Sequence, residues 1–132
     1  MKAIPKLLIV SIVFYLVSLL CPFTIDDFEF YGFNALLLGW VVFPSLDFFC
    51  WLANFTLLAS WILINKSYQK YWVWTTVILM ATYGIDYIFR LNFFETRSYD
   101  EKILAYWFWL LSGVVLLFRN AKTGIQSSKS ID

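Results

Sequence analysis

The stretch 31–65 reads YGFNALLLGWVVFPSLDFFCWLANFTLLASWILIN. As a single helix it would be about 50 Å long, against a bilayer core of about 30 Å. It must therefore break, and the break is written at Pro44-Ser45-Leu46-Asp47. Pro44 cannot continue a helix, and Ser45 or Asp47 is a good N-cap for the next one. The reading is a short helix over 32–43, lying on or dipping into the outer face of a membrane, followed by an apolar helix over 46–64.

Working outward, the gaps between apolar runs alternate in charge. Lys2 and Lys6 precede the first run, Lys66 and Lys70 follow the stretch quoted above, and Arg119, Lys122 and Lys129 follow the last run. Asp26, Asp27 and Glu29 occupy one intervening gap, and Glu95, Asp100 and Glu101 the other. Basic residues in short loops mark the cytoplasmic side of membrane helices. The expected fold class is all-α integral membrane: four transmembrane helices over about 7–23, 46–64, 71–89 and 102–118, both termini inside, forming one domain over 1–120. Residues 121–132, polar and Ser-rich, are expected to be a disordered cytoplasmic tail. The lysines before the first run give it the form of a signal peptide. Leu20 is too bulky for the cleavage site hinted at before Cys21, so the first helix is expected to be retained.

Composition supports the same expectation. Of 132 residues, 61% are hydrophobic and 14% charged. A soluble domain would be near half apolar and about a quarter charged. The net charge of +1 gives no basic face for phosphate, so nucleic acid is not an expected partner. The expected partners are the lipid bilayer and a membrane protein or further copies of the chain. There is no His, which removes the commonest general base and metal ligand. The chain has neither a phosphate-binding glycine loop nor a nucleophile elbow. No catalytic residue, cofactor or metal is assigned, and the expectation is a non-enzyme.

The residues that could carry a function are few. Asp47, Cys50, Asn54, Leu57 and Trp61 recur at steps of three and four, hence on one helical face. Thr75, Leu79, Thr82, Asp86 and Arg90 form a second stripe, expected to face the first. Asp47, Asn54, Thr82, Asp86 and Arg90 are thus the candidate polar site. The plainer readings are a helix cap for Asp47, self-neutralisation of Asp86 by Arg90 four residues on, and interhelical hydrogen bonding for Asn54. Cys21 and Cys50 are candidates for a disulfide pinning the first span to the second; two small apolar side chains packed apart is the preferred alternative. The acidic patch Asp26, Asp27 and Glu29 lacks the spacing of a calcium loop and reads as a solvated segment.

Four short motifs carry a resemblance: Ala35-Leu-Leu-Leu-Gly39-Trp40, Trp51-Leu-Ala-Asn54, Glu95-Thr-Arg97 and Tyr106-Trp-Phe-Trp109-Leu-Leu-Ser112. Together they resemble an uncharacterised family of small bacterial inner-membrane proteins with four predicted helices, over most of 7–118. Phe55 and Ala105 depart from that pattern, standing where Pro and Gly are common. The resemblance implies the fold and a multi-pass place in the bacterial inner membrane, and no activity.

The functional expectation is a small protein acting through protein–protein contacts, as an accessory subunit or an immunity-type protein. The alternative is a small oligomeric transporter or channel using the two polar stripes.

Overall fold

A computed structural model describes residues 5–25, 28–94 and 104–129. Helix α1 spans Lys6–Leu20. An antiparallel hairpin follows, β1 (Pro22–Ile25) against β2 (Phe28–Tyr31), with Phe23 opposite Phe30. The sequence reading placed a loop here. Aromatic and β-branched residues on either side of a short acidic break favour a hairpin instead. Helix α2 (Gly32–Leu38) and a 3₁₀ turn (Gly39–Val42) lead to the Pro44 break. Helix α3 (Leu46–Trp51) starts on Ser45, whose hydroxyl accepts from the Phe48 N–H at 3.4 Å. Ser45 rather than Asp47 is therefore the cap. Asp47 sits in the first turn, where its charge suits the helix dipole.

Helix α4 (Ala53–Ile62), α5 (Gln69–Phe94) and α6 (Leu104–Lys129) complete the chain. The segment expected to be a disordered tail continues as helix through 121–129. Asp26, Asp27, Glu95, Arg97, Asp100, Glu101 and Lys102 lie outside the described residues, so the acidic patch and the second charged loop receive no structural account.

The four-span reading is corrected. Among the described residues, no helix is long and apolar enough to cross a membrane. Helix α1 has 15 residues, about 22 Å of rise against a core of about 30 Å. The expected span over 46–64 is broken at Leu52 into helices of 6 and 10 residues. Helices α5 and α6 each have 26 residues. Thr75, Thr76, Thr82 and Asp86 dilute the first, and the second reaches its length through a polar end beyond Phe118. Apolar content summed over a run had hidden these breaks. The all-helical part of the expected fold class fits. The transmembrane, N-in/C-in architecture and the multi-pass inner-membrane placement do not.

The core is small. Ala53, Leu57, Ile64, Val73, Met80 and Leu116 are buried, with Tyr15, Trp61 and Trp109 packed against them. Helices α5 and α6 approach closely at Gly113, where a Cβ would stand 3.1 Å from Met80 Sδ and 3.2 Å from Val77 Cγ2. Polarity runs opposite to that of an aqueous protein. Ser11, Ser60, Thr76 and Ser112 are wholly buried, while Ile62 is 74% and Ile85 69% exposed.

Candidate functional site

The polar stripe of α3 and α4 does turn inward. Cys50, Ala53, Leu57 and Ser60 are buried at steps of three, four and three, with Asn54 beside them half-buried. Asn54 is a junction of three hydrogen bonds. Its Oδ1 accepts from the Tyr15 hydroxyl of α1 at 3.2 Å and from Trp109 Nε1 of α6 at 2.9 Å. Its Nδ2 donates to the Trp51 carbonyl at 2.8 Å. Indole nitrogen only donates, so Trp109 fixes which end of the amide is oxygen.

Two turns along α4, Trp61 Nε1 donates to Ser11 Oγ at 2.9 Å, and Ser11 passes its own hydrogen to the Ser112 carbonyl at 2.6 Å. These chains tie α4 to α1 and α6 through groups that would otherwise be unsatisfied inside the bundle. At the other end of α4, Arg119 donates to Gln69 Oε1 at 3.2 Å, and Gln69 Nε2 donates to the Ser60 carbonyl at 3.2 Å.

Tyr15, Leu36, Trp51, Asn54, Phe55, Leu58 and Trp61 line a cleft of about 420 Å³ between α1, α2 and α4. Trp51 Nε1 donates to the Leu36 carbonyl at 2.9 Å, which holds α2 against α3. The same ring occupies the space a Cβ on Gly39 would need. Tyr15 meets Trp61 edge-on at 5.4 Å and Trp51 meets Phe55 edge-on at 4.9 Å, both favourable aromatic geometries. Burial pushes the Tyr15 phenol up to about 12, so it is a neutral donor at physiological pH.

The second stripe meets the first only in part: Leu79 packs against the core that holds Leu57, and Asp86 lies within electrostatic reach of Cys50. Thr75 is exposed, and its hydroxyl returns to the Tyr71 carbonyl at 2.9 Å; Thr82 does the same to Ile78 at 2.8 Å. The packed face of α5 is one residue round, along Val73, Thr76, Met80 and Gly84. Thr76 meets Thr56 of α4, hydroxyl to hydroxyl, at 2.7 Å. Helix α6 closes on α5 above Gly84: the Tyr106 hydroxyl reaches the Met80 carbonyl at 3.2 Å over a position where a Cβ would strike it.

Asp47 and Asp86 both lie within electrostatic reach of Cys50. Burial first, then the charges of Asp47 and Asp86, push the Cys50 thiol from 9.0 up to about 11. The Tyr106 phenol is raised too, by burial and then by the Cys50 charge. These groups therefore share one neighbourhood where α3, α5 and α6 meet. A thiol held neutral is a poor nucleophile. The Arg90 side chain lies outside the described residues, so the Asp86–Arg90 pairing has no structural account. Cys21 and Cys50 are free thiols, and the candidate disulfide is not formed. No group of three acidic, Cys or His side chains that could hold a metal occurs among the described residues.

Two measurements follow from Cys50. It is 1% exposed and Cys21 half-buried, so a maleimide at neutral pH should label Cys21 first and reach Cys50 only on unfolding. The raised thiol also stabilises the folded chain fully below the unfolded value of 9.0 and loses that contribution as pH rises through about 11. Unfolding temperature should fall across that window by more in the unaltered chain than in Cys50→Ala. Parallel curves would refute it.

The junction residues missed in the sequence were Ser11, Tyr15 and Trp109. The first two had a signal: with Ser18 they recur at steps of four and three within an otherwise apolar run. Trp109 gave none, since the last helix offers several aromatics and only packing selects one. Comparison with protein-family models, curated proteins and solved structures returned no match to this chain.

Proposed function

We propose that this chain acts through protein–protein contacts, as an accessory subunit or immunity-type protein whose apolar outer faces are covered by helices of a partner protein. The carrying observation is the apolar outward face of α5. Tyr71, Trp74, Ile78, Ile85 and Ile88 are all exposed, at 64, 57, 58, 69 and 41%. With Ala81 they advance by alternating steps of three and four, the spacing of a seam that receives another helix. A contiguous exposed apolar patch of this kind marks an interaction surface. The interior supports the reading, because the hydrogen-bonded junctions at Asn54 and Ser11 tie α4 to α1 and α6 as a scaffold.

The transporter or channel alternative relied on two polar stripes facing each other. Thr75, exposed and bonded to its own helix, contributes nothing to such a face, so the partner-protein reading is preferred.

Cross-linking followed by mild-detergent extraction and purification tests the proposal. A stoichiometric partner protein should co-purify with the unaltered chain, and Ile78→Glu with Ile85→Glu should reduce its recovery at least tenfold. Both side chains are exposed, so the double variant should keep its helical circular dichroism. Recovery as a monomer or homodimer without a partner would overturn the proposal. So would flotation with protein-free lipid vesicles combined with partner recovery that ignores the two substitutions.

A further inference from the structure

We infer that the cleft beside Asn54 binds an uncharged, apolar molecule carrying one carbonyl oxygen. Its volume of about 420 Å³ falls in the range of small-molecule sites, roughly 300–1,000 Å³. No charged side chain lines it, so an ion brought there would lose water and gain no partner. Its walls are aromatic and aliphatic, and their polar hydrogens already have acceptors. Trp51 bonds Leu36, Trp61 bonds Ser11 and Tyr15 bonds Asn54.

The exception is the Asn54 amide. It has two hydrogens on Nδ2. One goes to the Trp51 carbonyl, and the other has no acceptor among the described residues. Trp109 prevents the amide from flipping to hide that donor, because its indole N–H requires oxygen at that end. Among the lining side chains, this hydrogen is the one donor left for a ligand, and we assign it to the cleft. The complementary ligand is apolar and offers one uncharged acceptor, which a ketone, ester or amide carbonyl supplies. This inference is independent of the partner-protein proposal, because the α5 seam contributes no residue to the cleft.

Tryptophan fluorescence titration of the full chain with benzophenone and with diphenylmethane tests it. The two share their rings and differ in the carbonyl. Benzophenone should bind saturably and at least tenfold more tightly than diphenylmethane. Asn54→Asp retains an acceptor for Tyr15 and Trp109 and loses the N–H donors, so it should bring that ratio near one. Leu58→Trp enlarges an exposed side chain at the cleft (49% exposed) and should abolish saturable binding of both probes with the fold intact. Equal affinity of the two probes for the unaltered chain overturns the inference, as does benzophenone binding unchanged by Leu58→Trp. Should Asn54→Asp fail to fold, the probe pair and Leu58→Trp still decide it.

Discussion

Asn54→Leu should destabilise the folded chain by on the order of 2–4 kcal/mol. The side chain is close in size, so the cost comes from donors left behind rather than from a cavity. The Tyr15 hydroxyl and the Trp109 indole both lose their acceptor, and each unsatisfied interior donor costs about 1–3 kcal/mol. Both groups are only part-buried, which keeps the sum toward the lower end. The mechanism makes a sharper prediction. Adding Tyr15→Phe and Trp109→Phe to Asn54→Leu removes the orphaned donors and should recover stability, although each aromatic change alone should cost some. Equilibrium denaturation of the single, double and triple variants supplies the cycle. A strictly additive set, with the triple variant the least stable, would show that Asn54 is not a hydrogen-bond junction.

Gly32→Ala should cost about 3 kcal/mol, the upper end of what overpacking brings. A Cβ at Gly32 would collide with the Ser18 carbonyl oxygen and stand 2.9 Å from Leu19 Cα. These are backbone atoms of α1, and no side-chain rotation relieves the contact. The Gly32 N–H also donates to the Cys21 carbonyl at 3.1 Å, so pushing β2 and α2 away from α1 would break that bond as well. Gly113→Ala is the comparison. Its nearest neighbours are side-chain atoms, Met80 Sδ at 3.1 Å and Val77 Cγ2 at 3.2 Å. A thioether yields readily, and alanine gains up to about 1 kcal/mol over glycine within a helix. Thermal unfolding should separate the two variants widely; similar losses at both positions would remove the backbone-contact explanation.

Local signals in the sequence were reliable where the physics is local. The Pro44 break, a cap at Ser45 or Asp47 and the inward face through Cys50, Asn54 and Leu57 each follow from a few adjacent residues. Pro44 removes a donor, Ser45 supplies an acceptor, and steps of three and four repeat the helical period. The α5 stripe was legible only in part, because two faces of that helix read alike. Thr75 and Thr82 lie one residue from Thr76 and Tyr83, and a Thr hydroxyl satisfies itself on its own helix as easily as across an interface. The choice of packed face is set by size instead. Gly84 admits Tyr106, and Met80 fits beside Gly113.

The membrane architecture failed for a related reason. Hydrophobicity was summed over stretches that the chain divides at Leu52, or lengthens with polar residues beyond Phe118. A span must be continuous in both helix and apolarity, and composition reports only the second.

Legible from the residues alone were a mainly helical chain with an excess of apolar surface, a break at Pro44 and Asn54 on an inward face. The reason is that proline geometry, capping and helical periodicity act over a few residues. Tertiary packing alone selects which donors converge on Asn54 and which face of α5 is left outward, and opens the cleft between α1, α2 and α4. Those depend on contacts between residues 15 to 101 positions apart, and no local pattern encodes which distant donor finds which acceptor.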